Sequence, residues 1–455
     1  MQQLAMGTTS SIVLCNGGSD VFVCGMNNGK SLPLADPGNC VKTPVNVSHN
    51  IWNRNANAHL RATQVSARGV LMGVVDSDGI AHCIDDEGTF AKIDTLGIKH
   101  GVSQIACGRR HWALLSTAGQ VFTVGSSFLC GLGHGDYKTV CSPKLVEALQ
   151  HEVVTQLECA HICSAVTESG NVFFWGYQCQ WVLGGNRSRA SLLSPTQMNA
   201  EYLFNGKVIQ VSCGRSHALA LLAGGQMLSW GWNGYGQLGN GKTGSPEWLP
   251  GRIDIPGVAP ASTLKIKCGT STSFAISDCG DLYSCGLGTN MVLGTGFEEG
   301  DASVYVSTTE TMPCHSRFTY VDVEGCIVVD VDTSEFKTGV VTDDGRLYTW
   351  GSSCDPKQEG VYRRSRRIMS MHPKTTGIFH DTIDVIATPR LVWPEYFDSK
   401  PVGTSPFTFL TVKKKIAFMM GMMPRRRKQR RCRKTSVCAI LPEEVVRLIF
   451  QVYHQ

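Results

Sequence analysis

No stretch of the sequence approaches about 18 uninterrupted apolar residues, which excludes a membrane-spanning helix by length. The opening residues MQQLAMGTTS have neither a basic flank nor an apolar core, so no secretory signal is read there and an intracellular, non-secreted chain is expected. No C-x-x-C occurs among the 19 cysteines, and an odd, high count without a secretion signal argues against a disulfide framework. The closest pair, Cys159 and Cys163, has no second pair to complete a zinc set, so no structural metal is expected. Paired carboxylates, a nucleophile beside a base and a cofactor-binding loop are likewise missing at any recurring spacing. No catalytic residue, cofactor or metal is therefore assigned. Acid is absent from Lys413 to Lys434, which holds eleven Lys and Arg. The net charge of +5 thus conceals a segment 1–412 with a net charge of −5.

What is present is a repeat. The runs Gly119-QVFTV-Gly125, Gly170-NVFFW-Gly176, Gly225-QMLSW-Gly231, Gly280-DLYSC-Gly286 and Gly345-RLYTW-Gly351 share one frame, and Ser19-DVFVC-Gly25 and Gly79-IAHCI-Asp85 are divergent copies. The first glycine follows a small or polar residue, as suits a two-residue hairpin turn with positive φ, and apolar runs flank it. A Cys-Gly pair at 107–108, 213–214 and 268–269 begins the better copies, with Met6-Gly7 a looser one, and Leu-Gly follows at 132–133, 183–184, 238–239 and 293–294. Short strands with a period of about 50 residues read as radial blades that bury their faces only against neighbours. The fold class expected is all-β, a seven-bladed β-propeller over residues 1–423, closed because closure removes exposed sheet edges. The segment Phe407-TFLTVKKKIAFMM reads as a strand that completes the blade begun at the N-terminus.

The run VSCGRSHALALLAGGQMLSWGWNGYGQLGNG resembles a repeat of the regulator of chromosome condensation family, whose fold is a seven-bladed propeller. The resemblance is close over 206–250 and fair over 101–200 and 261–300. It implies a non-catalytic protein-interaction scaffold, with guanine-nucleotide exchange on a Ran-like small GTPase as the alternative. In that reading, the insertions 31–60 and 352–405 supply a wedge. The same run contains Gly234-Tyr-Gly236-Gln-Leu-Gly239 and, formally, the phosphate-loop pattern Gly236-QLGN-Gly241-Lys242-Thr243. A phosphate loop needs a helix opening at the last glycine, whereas NGKTGSPEWLPG follows here, so these glycines are read as turn positions. His111 and His217, three residues after their Cys-Gly cysteine's glycine, are read as buried braces, and Trp175, Trp230 and Trp350 as core.

Three further segments carry the expected contacts. The seventh-unit insertion presents Arg363, Arg364, Arg366 and Arg367 as a partner-binding loop. Lys413, Lys414, Lys415, Arg425, Arg426, Arg427, Lys428, Arg430, Arg431, Arg433 and Lys434 suit an import receptor or, through non-specific and salt-sensitive contacts, nucleic acid or chromatin; the chain is accordingly expected to be nuclear or nucleocytoplasmic. Residues 424–438 read as a basic linker and 439–455 as an amphipathic helix. Ile440-LPEEVVRLIFQVY resembles the opening of an F-box, which implies docking of a ubiquitin-ligase adaptor through Leu441, Pro442, Glu443, Val445, Leu448, Ile449 and Phe450, and a role in substrate recognition for that ligase.

Overall fold

The computed structural model describes residues 3–352 and 385–391, less 9, 27–31, 34–39, 52–59, 85–89, 96, 185–190, 204–205, 260, 296–302 and 307–310. Contacts divide the chain into Met1–Pro394 and Glu395–Gln455, and every described sheet belongs to the first. There are seven antiparallel sheets, spanning 3–46, 62–92, 102–145, 154–197, 208–253, 263–321 and 328–391, and they form the seven blades of a propeller. Six have four strands. The sixth adds the strand Ser303–Val306, paired with Thr311–Val321. Among the described residues no helix is long and apolar enough to cross a membrane.

Blade 5 shows how the repeat makes a blade. Its second strand, His217–Leu222, is buried at every residue because neighbouring sheets cover both faces, so it reads as a continuous apolar run rather than an alternating one. The turn after it needs a left-handed residue, and the glycines at 79, 119, 170, 225, 280 and 345 all have φ between 76 and 88°. The closing glycine answers a different demand. At Gly231 φ is 104°, the pairing to the outer strand shifts register, and a Cβ would lie 2.6 Å from the Ser216 carbonyl oxygen.

The core is divided among the seams between blades. One buried cluster joins blades 1 and 2 around Leu14, Val23 and Met72, and another joins blades 4 and 5 around Phe174, Leu228 and Trp230. The Leu-Gly signature acquires its meaning here. The carbonyl just before each Leu-Gly accepts hydrogen bonds from the next blade: Gly131 from the Trp175 indole at 2.9 Å, Val182 from Trp230 at 2.7 Å and Val292 from Trp350 at 2.8 Å. In blade 6 a cysteine holds the tryptophan position, and the Cys285 thiol reaches the Gln237 carbonyl at 3.6 Å. The leucines themselves are buried. The three tryptophans are therefore core, as their positions in the repeat indicate.

The segment 407–420, expected to complete the first blade, lies outside the described residues. The first blade takes all four of its described strands, Gln3–Met6, Ser10–Cys15, Asp20–Met26 and Cys40–Asn46, from residues 3–46. No strand from residues 407–420 is required to complete it. The ring is closed instead through the innermost strands: Asp330 of blade 7 accepts the Leu4 amide at 3.2 Å and Asp332 accepts the Met6 amide at 2.6 Å.

Candidate protein-interaction face

The innermost strands meet around a channel, and the residue three before the Cys-Gly cysteine points into it. In blades 1 to 5 that residue is Gln3, Gln64, Gln104, Gln156 and Gln210. Each glutamine oxygen accepts a backbone amide of the next blade, from Val65, Ile105, Leu157, Val211 and Ile266 at 2.8–3.1 Å. Gln104, Gln156 and Gln210 also donate to the same residues' carbonyls, which makes each a two-point clasp. Lys265 and Asp330 take the position in blades 6 and 7, pair with each other, and complete the circle through Leu4. Two residues further along, Lys267 lies between Glu158 at 2.8 Å and Asp332 at 3.1 Å. Burial opposes the ammonium charge, but Asp332 and Glu158 outweigh it and raise the Lys267 pKa.

At the end of the channel where the first and second strands of each blade connect, the loops of blades 2, 3 and 5 carry arginines. Arg109 and Arg215 occupy the same loop position in blades 3 and 5, His161 lies in the loop of blade 4, which is one residue shorter, and Arg68 comes from the corresponding loop of blade 2. Arg109 and Arg215 are exposed. None of these three arginines has an ion pair among the described residues. His161 lies among them. Its burial and then the charges of Arg68, Arg109 and Arg215 push its pKa down to about 3, so it is neutral. Blade 7 places the acid Glu335 at the equivalent position, so the positive potential is confined to one side of the mouth.

Arg215 also lines a groove of about 440 Å³ on this face, with Trp181, Trp232, Tyr235, Glu335 and Phe336 around it. Trp181 is stacked on Trp248 with centroids 4.9 Å apart and planes within 9°, and meets the edge of Trp232 at 5.5 Å. Aromatic walls and an arginine without a counter-ion are the features that favour binding of a protein segment.

His111 and His217 are buried braces, as expected. The Ser273 hydroxyl donates to the Gln237 carbonyl at 2.7 Å, so the network assigns the proton of His217 to Nε2, which donates to Ser273 at 3.0 Å. The repeated glycine of Cys-Gly makes room for the ring: a Cβ on Gly214 would lie 2.2 Å from His217 Cε1. In blade 3 the chain is the same with sulfur, His111 Nε2 to Cys163 Sγ at 3.4 Å and on to the Gly131 carbonyl at 3.6 Å. The three donor atoms of His111, Cys159 and Cys163 lie within 4.8 Å of one another. Since a hydroxyl serves in place of the thiol two seams away, the His111–Cys163 brace needs no metal.

Burial holds the His217 pKa down to about 4, against 6.5 in the unfolded chain. The unfolded chain therefore takes up the proton first on acidification. The stability that depends on neutral His217 is complete above pH 6.5, is lost as the pH falls towards 4, and is flat below that. The loss amounts to about 3 kcal/mol. Urea midpoints measured between pH 7 and 4.5 should fall, and His217→Gln should flatten the slope in that window.

The phosphate-loop pattern is a turn. Gly236, Gly239 and Gly241 have φ of 78, 69 and 82°, the Asn233 side chain accepts the Leu238 amide and donates to the Lys242 carbonyl, and Lys242 is paired with Glu247 at 2.8 Å. Arg363 to Arg367, the basic residues 413–434 and the F-box-like residues 441–450 lie outside the described residues. The arginines of the channel mouth were not among the residues singled out from the sequence. Their signal is the arginine two residues after the repeated cysteine in Cys107-Gly-Arg109 and Cys213-Gly-Arg215.

Comparison with known proteins agrees with this architecture. Models of the regulator of chromosome condensation (RCC1) repeat match residues 169–221, 224–276 and 208–237. The serine/threonine-protein kinase Nek9 of Mus musculus is 26% identical over 288 residues, 60% of this chain and 28% of the kinase. The probable E3 ubiquitin-protein ligase HERC6 of Homo sapiens is 31% identical over 254 residues, 55% of this chain and 23% of the ligase. The chain thus spans less than a third of the length of these relatives. Among solved structures, human WBSCR16 superimposes with a TM-score of 0.65 at 20% identity, covering 75% of this chain and 87% of that one. Prp20p of Saccharomyces cerevisiae, described with its binding to Gsp1p and histones, gives 0.60 at 18% identity, covering 81% and 85%. The chain carries RCC1 repeats on a seven-bladed propeller.

Proposed function

We propose that this RCC1-repeat propeller is a non-catalytic protein-interaction scaffold, and that its partner docks on the face bearing Arg68, Arg109 and Arg215. The observation that carries the reading is the continuity of the unpaired arginine loops with the aromatic groove through Arg215. The residues that face the channel are occupied in clasping neighbouring blades, so the loops are free to vary while the scaffold stays fixed. Nuclear placement through the basic segment 413–434, contact of that segment with an import receptor or chromatin, and adaptor docking by Leu441 to Phe450 belong to the same proposal. The test is affinity purification of the full chain followed by mass spectrometry. A reproducible protein partner lost on substituting the groove residue Trp232→Ala is expected, and a partner list indistinguishable from that of an unrelated propeller overturns the reading.

A second reading, exchange on a Ran-like small GTPase, draws support from the family resemblance and from the fold shared with Prp20p. It requires acceleration of labelled GDP release from Ran at micromolar concentrations of this protein, and the absence of acceleration disposes of it.

A further inference from the structure

We propose that the arginine arc at the channel mouth is a docking site for an acidic linear segment of a partner protein, whose carboxylates meet Arg68, Arg109 and Arg215 while one apolar side chain enters the groove of Trp181, Trp232, Tyr235 and Phe336. This deepens the scaffold reading and rests on it.

The arc is built by the repeat. Arg109 and Arg215 occupy one loop position in blades 3 and 5, each loop closed by the same backbone bond, Gly108 N to His111 O and Gly214 N to His217 O at 2.9 Å, and His161 lies in the loop of blade 4 between them, one residue shorter and closed by Ala160 N to Ile162 O at 3.1 Å. The fold thus holds cations of the same sign together without an internal counter-ion among the described residues. Placing like charges together costs stability that an arriving anion recovers. Guanidinium groups suit carboxylates because their planar forks bind both oxygens. His161 fits the same picture: burial first and then the arc hold it neutral, and its Nδ1 is buried with no hydrogen-bond partner among the described residues.

The observations favour a peptide over a nucleic acid. Glu335 ends the arc on the blade 7 side and lines the groove, so a continuous polyanion that followed the mouth would meet a carboxylate. Trp181 already has one face on Trp248 and its edge region against Trp232, which leaves the pair poorly disposed as a platform for successive bases. A short peptide needs only one anionic stretch beside one apolar anchor, which is the order in which Arg109, Arg215 and the groove present themselves.

The experiment uses the full-length chain and fluorescence anisotropy of a short fluorescein-labelled Glu/Asp peptide carrying one Phe. Its arms are the same peptide with Gln and Asn in place of the acids, and an oligothymidylate of equal charge. Saturable binding of the acidic peptide is expected, weakened by salt, at least about tenfold stronger than the neutral one, a difference of about 1.4 kcal/mol. Arg109→Glu with Arg215→Glu should remove that advantage. Both side chains are exposed, so the fold should tolerate the change, and the unchanged melting temperature is checked alongside Lys99→Glu, an exposed reversal before the strand Val102–Cys107 at the opposite end of blade 3. Equal binding of acidic and neutral peptides, no binding of either, or indifference to the double reversal overturns the proposal. So does tighter, reversal-sensitive binding of the oligothymidylate, which would assign the face to nucleic acid. If the double-reversal variant still captures the partners of the wild-type chain, the arc is excluded while the scaffold reading stands.

Discussion

Trp230→Ala is expected to lower stability by about 4 kcal/mol or more, seen as a reduced urea midpoint at unchanged slope. The side chain is fully buried between blades 4 and 5, its ring lies edge-on to Phe174 with centroids 6.3 Å apart, and its indole nitrogen donates to the Val182 carbonyl at 2.7 Å. Removing it leaves a void between two sheets that clasps on either side prevent from collapsing. It also removes the donor from a buried carbonyl, which by itself costs about 1–3 kcal/mol. Trp230→Phe separates the two effects, because it keeps most of the volume and loses only the donor. Its cost should be clearly the smaller, and an equal cost would show that the hook to blade 4, rather than packing, dominates.

Lys267→Met is expected to cost about 2–4 kcal/mol. Removing one partner of a buried ion pair typically costs about 3–5 kcal/mol, and the channel leaves the Lys267 side chain 23% exposed, which reduces the figure. Methionine fits the space but leaves Glu158 and Asp332 facing the channel without a cation. Both carboxylates have structural duties, since Glu158 accepts the Cys213 amide at 3.3 Å and Asp332 accepts the Met6 amide that closes the ring. Adding Glu158→Gln to Lys267→Met should recover part of the stability, because an amide oxygen still accepts from Cys213 while one of the two unpaired charges is gone and only that of Asp332 remains. Failure of the double variant to recover, measured by the same denaturation curves, would mean that the lysine acts by filling space rather than by charge.

Both predictions concern seams, and the seams explain why some blades were easier to recognise than others. Units 3 to 6 display their signature because Leu-Gly and the closing glycine serve a carbonyl hook and a register shift in each, and because the glycine of Cys-Gly in units 3 and 5 leaves space for a histidine ring. Unit 1 has Met6-Gly7 and unit 7 has Thr333-Ser334 in place of Cys-Gly, yet both fold as four-stranded blades. Where these two units meet, the carboxylates of Asp330 and Asp332 in unit 7 hold the inner strand of unit 1 in place of the repeated glutamine, so side chains diverge while the strands do not. The missing legibility is therefore concentrated where the ring closes. The segment at Phe407 lies outside the described residues; a local apolar pattern indicates a strand, but not whether the first blade lacks one, and that blade has four described strands without it.

The sequence by itself determined the number of blades, the identity of the turns and the role of the buried tryptophans. These depend on local conformation and on a period that survives divergence. Only the tertiary structure decided how the ring closes and which residues share its mouth. Arg109, His161 and Arg215 stand about fifty residues apart in the chain, and Lys267 lies far from Glu158 and Asp332. A repeat specifies that such positions are equivalent. That they are also neighbours, close enough for three arginines to depress one histidine and for one lysine to join two acids, follows from closing the sheets around a single axis.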